Sequence, residues 1–305
     1  MRVLIAGGAG FLGSYLAERF VADEYGVHIL DNFASGLKSN IENIRDKITL
    51  LEDDVTTFRT NERYDIIVNF ASRASRVEWE NHPVDVALSN AIGSKNLIEL
   101  ALSCNALYVY ASSSEVYGDP IVIPTPEDYV GCVSTTGSRS PYDEGKRFGD
   151  AITKAYERQY GLRNIIIRFF NTYGPRMRGG DFYGRVIDRF IEQAMHNEPI
   201  TVYGDGSQTR SFTYVSDTID GVITAITKGK VGEIYNIGND SETSIVDLAK
   251  LVRNLAKSAS EIQFKDLPEN DPKRRAADIT KMRKLGWEPK ISLEEGITNI
   301  IKSKE

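Results

Sequence analysis

The amino-acid sequence predicts an α/β protein with a doubly wound parallel sheet and a smaller C-terminal α/β domain. Three observations predict it: short apolar runs alternate with segments of helical periodicity, a glycine-rich turn follows the first run, and the pattern changes near residue 170. Runs that are apolar throughout are typical of strands buried on both faces, as in a parallel sheet. Their alternation with helices is typical of doubly wound folds.

Each element is predicted from its local pattern. The first helix, over residues 11–22, repeats apolar side chains at Leu12, Leu16 and Phe20, which is a helical period. Apolar runs predict strands at residues 3–6, 27–30, 48–51, 65–70, 106–110 and 165–167. Further helices are predicted over residues 84–103 and 142–160.

The pattern of the second domain differs, because segments rich in Gly, Pro and Arg alternate with short helices. Three such segments contain arginine, at residues 173–184, 203–210 and 267–275. We expect them to be loops that close over the sheet and form an anion-binding mouth. Residues 233–237 predict a strand that rejoins the sheet. The expected domains are therefore residues 1–170, rejoined by 212–238, and residues 171–305.

Composition excludes several classes of function. A formal net charge of -6 argues against a nucleic-acid partner, which an acidic surface repels. No apolar run approaches the roughly 20 residues that a membrane span needs, and no signal peptide precedes the first strand, so we expect a cytosolic protein. Cys104 and Cys132 are expected to be free thiols, and the scattered His and Cys residues predict no metal site.

The glycine-rich turn predicts a dinucleotide site. Gly7, Gly10 and Gly13 directly follow the first strand and open the first helix. In a Rossmann-type turn such glycines allow the sharp bend, the approach of a pyrophosphate and close helix packing, while the helix N-terminus attracts phosphate. Asp31 ends the second strand, where its carboxylate accepts ribose hydroxyls and repels a 2′-phosphate, which favours NAD over NADP. Asp54-Val55 follows the third strand, where it suits the adenine.

A second motif predicts redox chemistry. Tyr142 and Lys146 lie at positions i and i+4 of a predicted helix, so they are neighbours on one face. We expect the lysine ammonium and the positive nicotinamide to lower the pKa of the phenol, which then takes a proton from a sugar hydroxyl. Ser113, at the end of the strand before this helix, is expected to hydrogen-bond the same hydroxyl.

These residues resemble the extended short-chain dehydrogenase/reductase family, which contains nucleotide-sugar epimerases, dehydratases and decarboxylases. The resemblance covers residues 7–13, 31–32, 54–55, 113–118, 142–146, 168–176 and 203–212. Within the family the chain is most similar to the UDP-glucuronate decarboxylases, through residues 71–75, 114–120, 137–147 and 271–279. It departs from them after Ala71-Ser72, where Arg73, Arg76, Glu78 and Trp79 stand in a segment that is proline-containing in the relatives.

The resemblance implies roles for further residues. It implies catalysis by Ser113, Glu115, Tyr142, Lys146 and Arg210. It implies NAD binding by Gly7, Gly10, Phe11, Leu12, Gly13, Asp31, Asn32, Gly36, Asp54, Val55, Ala71, Asn90, Ser112, Tyr142 and Lys146. It implies binding of a UDP-sugar by Ser75, Arg76, Ser114, Asn171, Arg185, Tyr203, Gln208, Arg210 and Arg275. It also implies a homodimer that pairs through the helices at 84–103 and 142–160.

Glu115 distinguishes the activities within this family. The dehydratases of the family have an Asp before this Glu, which protonates a leaving hydroxyl, whereas this chain has Ser114. The resemblance therefore implies oxidation of UDP-glucuronate at carbon 4, loss of carbon dioxide and return of the hydride to give UDP-xylose. A UDP-sugar 4-epimerase and a non-catalytic NAD-sensing protein remain the alternatives.

Overall fold

A computed structural model describes residues 1–177, 186–266 and 274–304. The chain divides into two compact units that interleave along the sequence. The first unit comprises Met1–Val116, Val133–Arg168 and Val222–Tyr235, and the second comprises Tyr117–Cys132, Phe169–Gly221 and Asn236–Glu305. The domain boundaries expected from the sequence stay a prediction.

The elements are numbered in chain order. The strands are β1 Arg2–Ala6, β2 Gly26–Leu30, β3 Ile48–Leu51, β4 Ile66–Asn69, β5 Leu107–Ser113, β6 Asn164–Phe169, β7 Thr172–Tyr173, β8 Ile200–Tyr203, β9 Thr209–Ser211, β10 Thr213–Tyr214, β11 Ile234–Ile237, β12 Glu242–Ser244, β13 Ile262–Lys265 and β14 Arg274–Arg275. The α-helices are α1 Phe11–Ala22, α2 Arg76–Asn81, α3 Pro83–Leu88, α4 Ser94–Cys104, α5 Ser140–Tyr160, α6 Val186–Met195, α7 Val215–Lys228, α8 Ile245–Leu255, α9 Thr280–Lys284 and α10 Leu293–Lys304.

The main sheet has seven strands in the order β11-β6-β5-β4-β1-β2-β3. The pairs β1–β2, β2–β3, β1–β4 and β4–β5 are parallel, as the uniformly apolar runs predict. This arrangement confirms the doubly wound fold. The strand order reverses between β1 and β4, and open α/β sheets bind ligands at the carboxyl ends of the strands at such a point. The segment expected to rejoin the sheet forms β11, beside β6.

The long helix predicted over residues 84–103 is interrupted. A π-helical turn at Ser89–Gly93 separates α3 from α4. Asn90 lies in this turn, and its Nδ2 donates to the carbonyl oxygen of Val86 at 2.8 Å and to Ser72 Oγ at 3.1 Å. Such turns are frequent at functional sites. The interruption was not predictable from periodicity, because it depends on contacts with other segments.

The second unit has its own core and small sheets. β12, β9 and β14 form one three-stranded sheet, while β10 pairs with β7 and β13 pairs with β8. Its core contains buried side chains of α6, α8 and α10, including Phe190, Leu248 and Ile297. Several strands of this unit lie at the ends of segments that the sequence predicted as loops, since strands of two to four residues leave little periodicity to read. Within the described ranges, no helix has both the length and the apolar character that a membrane crossing requires.

Candidate active site

The glycine-rich turn lies between β1 and α1 with the geometry that its sequence predicted. Gly7 has φ +77°, and a Cβ there would lie 2.7 Å from the carbonyl of Phe70. A Cβ on Gly13 would lie 2.1 Å from the carbonyl oxygen of Gly7, so the helix packs against the turn at a distance that only glycine allows. Gly10 is the N-cap of α1 without a side-chain cap, and the first turn, which starts at Phe11-Leu12, has no acidic residue. The N–H groups of this turn therefore suit a diphosphate.

A pocket in the first unit extends from this turn along the ends of the strands. Gly7, Gly10, Asp31, Asn32, Gly36, Asp54, Val55 and Ala71 are among its lining residues. Asp31 accepts hydrogen bonds from the backbone N–H groups of Ala9 and Phe33, each at 2.9 Å, and burial raises the pKa of its carboxyl. A Cβ on Gly36 would lie 2.9 Å from both carboxylate oxygens of Asp31, so glycine keeps this end of the pocket open.

Asp54 is organised by its neighbours. Asn32 Nδ2 donates to one carboxylate oxygen at 2.6 Å, and the backbone N–H of Thr56 donates to the other at 2.8 Å. Burial opposes the charge, but the hydrogen bonds from Thr56 and Asn32 lower the pKa of Asp54. The carboxylate thus shapes the pocket wall beside Val55, where the sequence suggested the adenine.

Two further residues of the predicted coenzyme set are buried in the first unit. Asn90 Oδ1 is buried and accepts no hydrogen bond from any described residue, so it is available to a bound group. Ser112 lies near the end of β5, and its buried hydroxyl has no hydrogen-bond partner among the described residues.

Tyr142 and Ser113 meet at the end of β5. α5 begins at Ser140, which places Tyr142 in its first turn, and the Ser113 hydroxyl lowers the pKa of the phenol. Lys146 Nζ donates to the carbonyl oxygen of Ala111 at 2.8 Å and lies 5.6 Å from the centre of the Tyr142 ring. Tyr142 and Lys146 therefore lie on one face of α5, opposite Ser113 at the end of β5.

The electrostatics of Tyr142 differ from the expectation. Burial raises the pKa of the phenol above its usual value, and the carboxylates of Glu115 and Asp143 raise it further, while Ser113 and Arg139 lower it. Burial also lowers the pKa of Lys146 itself, to about 7. The protein alone thus disfavours the phenolate, and a bound positive charge has to compensate.

Sequence reasoning missed the buried pair below Lys146. Arg168 donates from Nε and Nη2 to one oxygen of Asp150, at 3.0 and 2.9 Å. Asp150 stands four residues after Lys146 on α5, and its charge raises the pKa of the lysine against the effect of burial. The i, i+4 spacing was a signal that could have identified Asp150.

Glu115 has a partner that sequence reasoning also missed. Its carboxylate forms a close ion pair with Arg139, whose Nε also lies 3.4 Å from Asp143. Both side chains of the Glu115–Arg139 pair are mostly buried. Ser114 is buried beside Glu115.

Ser75 and Arg76, two residues of the predicted substrate-binding set, have partners within their own segment. Ser75 caps α2, and Arg76 pairs with Glu80 on the same helix at 2.9 Å.

The predicted sugar-nucleotide residues of the second unit gather around one small sheet. Arg210 on β9 and Arg275 on β14 are register partners on neighbouring parallel strands. Asn171 Nδ2 donates to the carbonyl oxygen of Ser211 at 3.1 Å, and Gln208 Nε2 donates to that of Tyr203 at 2.8 Å. Adjacent guanidinium groups suit an anion with several oxygens. Arg185 lies outside the described residues.

Comparison with known proteins identifies the family. Residues 3–238 match the model of the NAD dependent epimerase/dehydratase family. The chain belongs to this family. Its glycine turn, Asp31 and the open end at Gly36 fit the coenzyme that the family name specifies, so the chain is an NAD-dependent enzyme of the epimerase/dehydratase class.

Within the epimerase/dehydratase family, curated relatives match nearly the whole chain. UDP-glucuronic acid decarboxylase 1 of Xenopus tropicalis is 43% identical over 98% of this chain and 71% of its own length. UDP-glucuronic acid decarboxylase 5 of Arabidopsis thaliana is 42% identical over 97% of this chain and 87% of its own length. A solved UDP-glucose 4-epimerase of Thermotoga maritima, crystallised with UDP-glucose, superposes with a TM-score of 0.91 at 29% identity over 99% of this chain and 98% of that one.

Proposed function

We propose that this chain converts UDP-glucuronate to UDP-xylose through a 4-keto intermediate, with NAD regenerated in each cycle. The observation that carries the proposal is the nearly full-length identity of 43% and 42% with two UDP-glucuronic acid decarboxylases. The position of Glu115 after Ser114 agrees with it, because a dehydration would need an acid where Ser114 stands.

The coenzyme is held by the first unit. The N–H groups at the start of α1 bind the diphosphate, Asp31 accepts the ribose hydroxyls, and Asp54-Val55 borders the adenine. Asn90 Oδ1, buried without a described partner, offers an acceptor to the coenzyme. When bound, NAD supplies a hydride acceptor at the start of the cycle and a hydride donor at its end.

Tyr142 is the base of the oxidation. The phenolate takes the proton of the carbon 4 hydroxyl while Ser113, whose hydroxyl lowers the pKa of the phenol, orients that hydroxyl. Lys146, held by the carbonyl oxygen of Ala111, lies beside the ring and adds positive charge when protonated. The same groups return the proton when the carbonyl is reduced again.

The carboxylate is lost from the oxidised sugar. The bond from carbon 5 to the carboxylate breaks, and its electron pair forms an enolate with the new carbonyl at carbon 4. Tyr142 and Ser113 stabilise the enolate oxygen by hydrogen bonding. Glu115, with its charge balanced by Arg139, handles the proton that carbon 5 gains.

The UDP group is bound through the arginines of the second unit. Arg210 and Arg275 stand side by side on β9 and β14, which suits a diphosphate that needs two guanidinium groups. Asn171, Tyr203 and Gln208 lie on the same unit and belong to the predicted substrate-binding set. Arg185 is assigned to this set from the sequence.

The test is incubation of the purified protein with UDP-glucuronate, followed by analysis of gas and nucleotide sugars. Carbon dioxide with UDP-xylose is expected, and Tyr142→Phe is expected to abolish both. UDP-galacturonate without gas would overturn the proposal in favour of epimerisation. Carbon dioxide with free UDP-4-keto-pentose would remove the final reduction from it. Absence of any turnover with intact NAD binding would favour the NAD-sensing alternative.

A UDP-sugar 4-epimerase is the second candidate. The TM-score of 0.91 with the epimerase of Thermotoga maritima favours it, and epimerisation needs only the Tyr142 base and the coenzyme. UDP-glucose and UDP-glucuronate are therefore compared as substrates in the same assay. Interconversion of UDP-glucose and UDP-galactose would support this candidate.

We also propose that two copies pair through α3, the π turn and α5. Val84, Leu88 and Ile92 form an exposed apolar row at a spacing of four residues, and Phe148 is exposed on α5, which contacts α3. A second copy would bury these side chains, which is the arrangement that the family resemblance implies.

We infer a cytosolic location from the sequence alone, and fractionation of cells that produce the protein tests it.

A further inference from the structure

Trp79 lies flat against the ring of Tyr142. The two ring centroids are 4.5 Å apart, and the planes are tilted by only 18°. Both side chains are buried, and together with Val86 they form a separate apolar cluster of the first unit. The segment that carries Trp79 is also where this chain departs from the decarboxylases that it resembles.

Trp79 is itself held from several sides. Its Nε1 donates to the carbonyl oxygen of Arg73 at 2.9 Å, which fixes the indole in its plane. The guanidinium of Arg139 lies 5.3 Å from the centre of the indole ring, within the range of a cation–π contact. The backbone N–H of Trp79 donates to the carbonyl oxygen of Ser75, the N-cap of α2. These contacts hold both the backbone and the indole of Trp79 in place.

We propose that Trp79 is a positioning residue that holds the Tyr142 phenol against Ser113 and excludes water from one face of its ring. The torsion that rotates a tyrosine ring has broad minima, so a flat neighbour is needed to restrict it. A stacked indole prevents the ring from tilting while leaving the hydroxyl at its edge accessible. The inference rests on the proposed function, because Tyr142 is the base of that reaction.

Arg139 connects this stack to the carboxylates. The same guanidinium that lies on Trp79 pairs with Glu115 and approaches Asp143. Arg73, whose carbonyl oxygen accepts the indole N–H of Trp79, is also a lining residue of the coenzyme pocket and pairs with Glu78 at 2.5 Å. Trp79 thus contacts both Arg73 of the coenzyme pocket and the proposed base Tyr142, so it can set the position of the base relative to the pocket.

Three substitutions of Trp79 separate positioning from space filling. Trp79→Leu keeps an apolar side chain without a flat ring, Trp79→Ala removes both, and Trp79→Phe keeps the ring. We expect kcat of the Leu and Ala variants to fall by about 10- to 100-fold, because misplacement of a base by about 1 Å has effects of that size. The Michaelis constant for the sugar nucleotide and the Kd for NAD are expected to stay within about 3-fold, and Trp79→Phe to recover most of kcat. Rapid-mixing absorbance at 340 nm checks that the slowed step is the first hydride transfer.

Two results would overturn the inference. Wild-type kcat in Trp79→Leu would show that no flat ring is needed, and a Phe variant as slow as the Ala variant would show that stacking does not matter. The control is Trp287→Phe, a buried indole of the second unit that donates to the carbonyl oxygen of Asp217, for which unchanged kcat is expected.

A measurement without turnover distinguishes failure of the inference from failure of the proposed function. A stacked Trp–Tyr pair gives a near-ultraviolet circular dichroism signal that requires both rings. Trp79→Leu and Tyr142→Leu are each expected to remove this shared signal, so that the double variant loses less than the sum of the two single losses. Additive losses would contradict the stack even if the wild type decarboxylates UDP-glucuronate. An inactive wild type with non-additive losses would contradict the proposed function alone.

Discussion

Lys146 is buried in the first unit, where the charge of Asp150 favours its protonated form. Burial lowers its pKa to about 7, and Asp150, already bound by Arg168, opposes that shift. In the unfolded chain a lysine has a pKa of about 10.4. Below pH 7 both states are protonated, so the folded protein bears the full cost of burying the ammonium. Between about pH 7 and 10.4 the folded state has lost this proton and the unfolded state keeps it. The free energy of unfolding therefore rises with pH over this range, and the cost of burial diminishes.

Lys146→Met is therefore expected to stabilise the chain relative to the wild type most strongly below pH 7. The advantage should shrink as the pH rises toward 10, by at most about 1.4 kcal/mol per pH unit. Urea unfolding of both proteins at pH 6.5, 8 and 9.5 measures it. Lys302→Met, at an exposed position of α10, is the matched control and should show no such trend. A pH-independent difference for Lys146→Met would contradict the shifted pKa.

Glu115 follows Ser114, where the dehydratases of the family have an acid, and its charge is paired with Arg139. Glu115→Gln keeps the shape of the side chain but removes the carboxyl group that handles the proton gained by carbon 5, so kcat for carbon dioxide release is expected to fall by about 10²-fold. Manometric or radiometric detection of carbon dioxide measures the change. Glu144→Gln, which alters the neighbouring pair of Glu144 with Arg147 on α5, should leave kcat unchanged. Full activity of Glu115→Gln would remove Glu115 from the mechanism.

At the scale of elements, α5 approaches β5 at a distance set by glycine. A Cβ on Gly149 would lie 2.0 Å from the hydroxyl oxygen of Tyr110, which is fully buried and has no room to move. A Cβ on Gly145 would lie 3.1 Å from Asn90 Cβ, which is tight but tolerable. Close packing therefore requires glycine at position 149 but not at position 145, although both glycines lower the helix propensity of α5.

Gly149→Ala is expected to destabilise the protein by about 1–3 kcal/mol, because the added methyl group has to displace the Tyr110 ring or the helix. Gly145→Ala is expected to be close to neutral, since a gain of about 1 kcal/mol in helix propensity offsets the closer contact. Urea midpoints of the two variants provide the comparison. Equal stability of Gly149→Ala and the wild type would show that α5 and β5 do not pack as tightly as described.

For the whole molecule, the proposal that copies pair through the exposed apolar row on α3 and the π turn can be tested by one substitution. Leu88→Glu places a charge in the middle of this row, and burial of an unpaired charge opposes association. We expect sedimentation equilibrium to show a dimer for the wild type and a monomer for Leu88→Glu. Val231→Glu, at an exposed apolar side chain outside the row, should remain a dimer. A monomeric wild type, or a dimeric Leu88→Glu, would contradict pairing through this surface.

Much of the first unit could be predicted because its signals are local. β3 and α1 have the predicted bounds, and β1, β2 and β4 differ from them by one residue at one or both ends, since an apolar run and a helical period are properties of neighbouring residues. β5 extends through Ser113 and α5 begins at Ser140, because tertiary contacts continue beyond the point where propensity weakens. The short strands of the second unit carried no period long enough to detect.

The sequence by itself determined the doubly wound sheet, the glycine turn and the pairing of Tyr142 with Lys146 on one helix face. Each depends on residues a few positions apart, whose relative placement follows from backbone geometry alone. Only the tertiary structure decided that Arg139 pairs with Glu115, 24 residues away, that Trp79 covers Tyr142 and that Arg210 stands beside Arg275. These contacts join segments that meet only when the chain is folded. Burial in the folded chain then lowers the pKa of Lys146 and raises that of Tyr142, and a local sequence pattern predicts neither shift because burial depends on the tertiary structure.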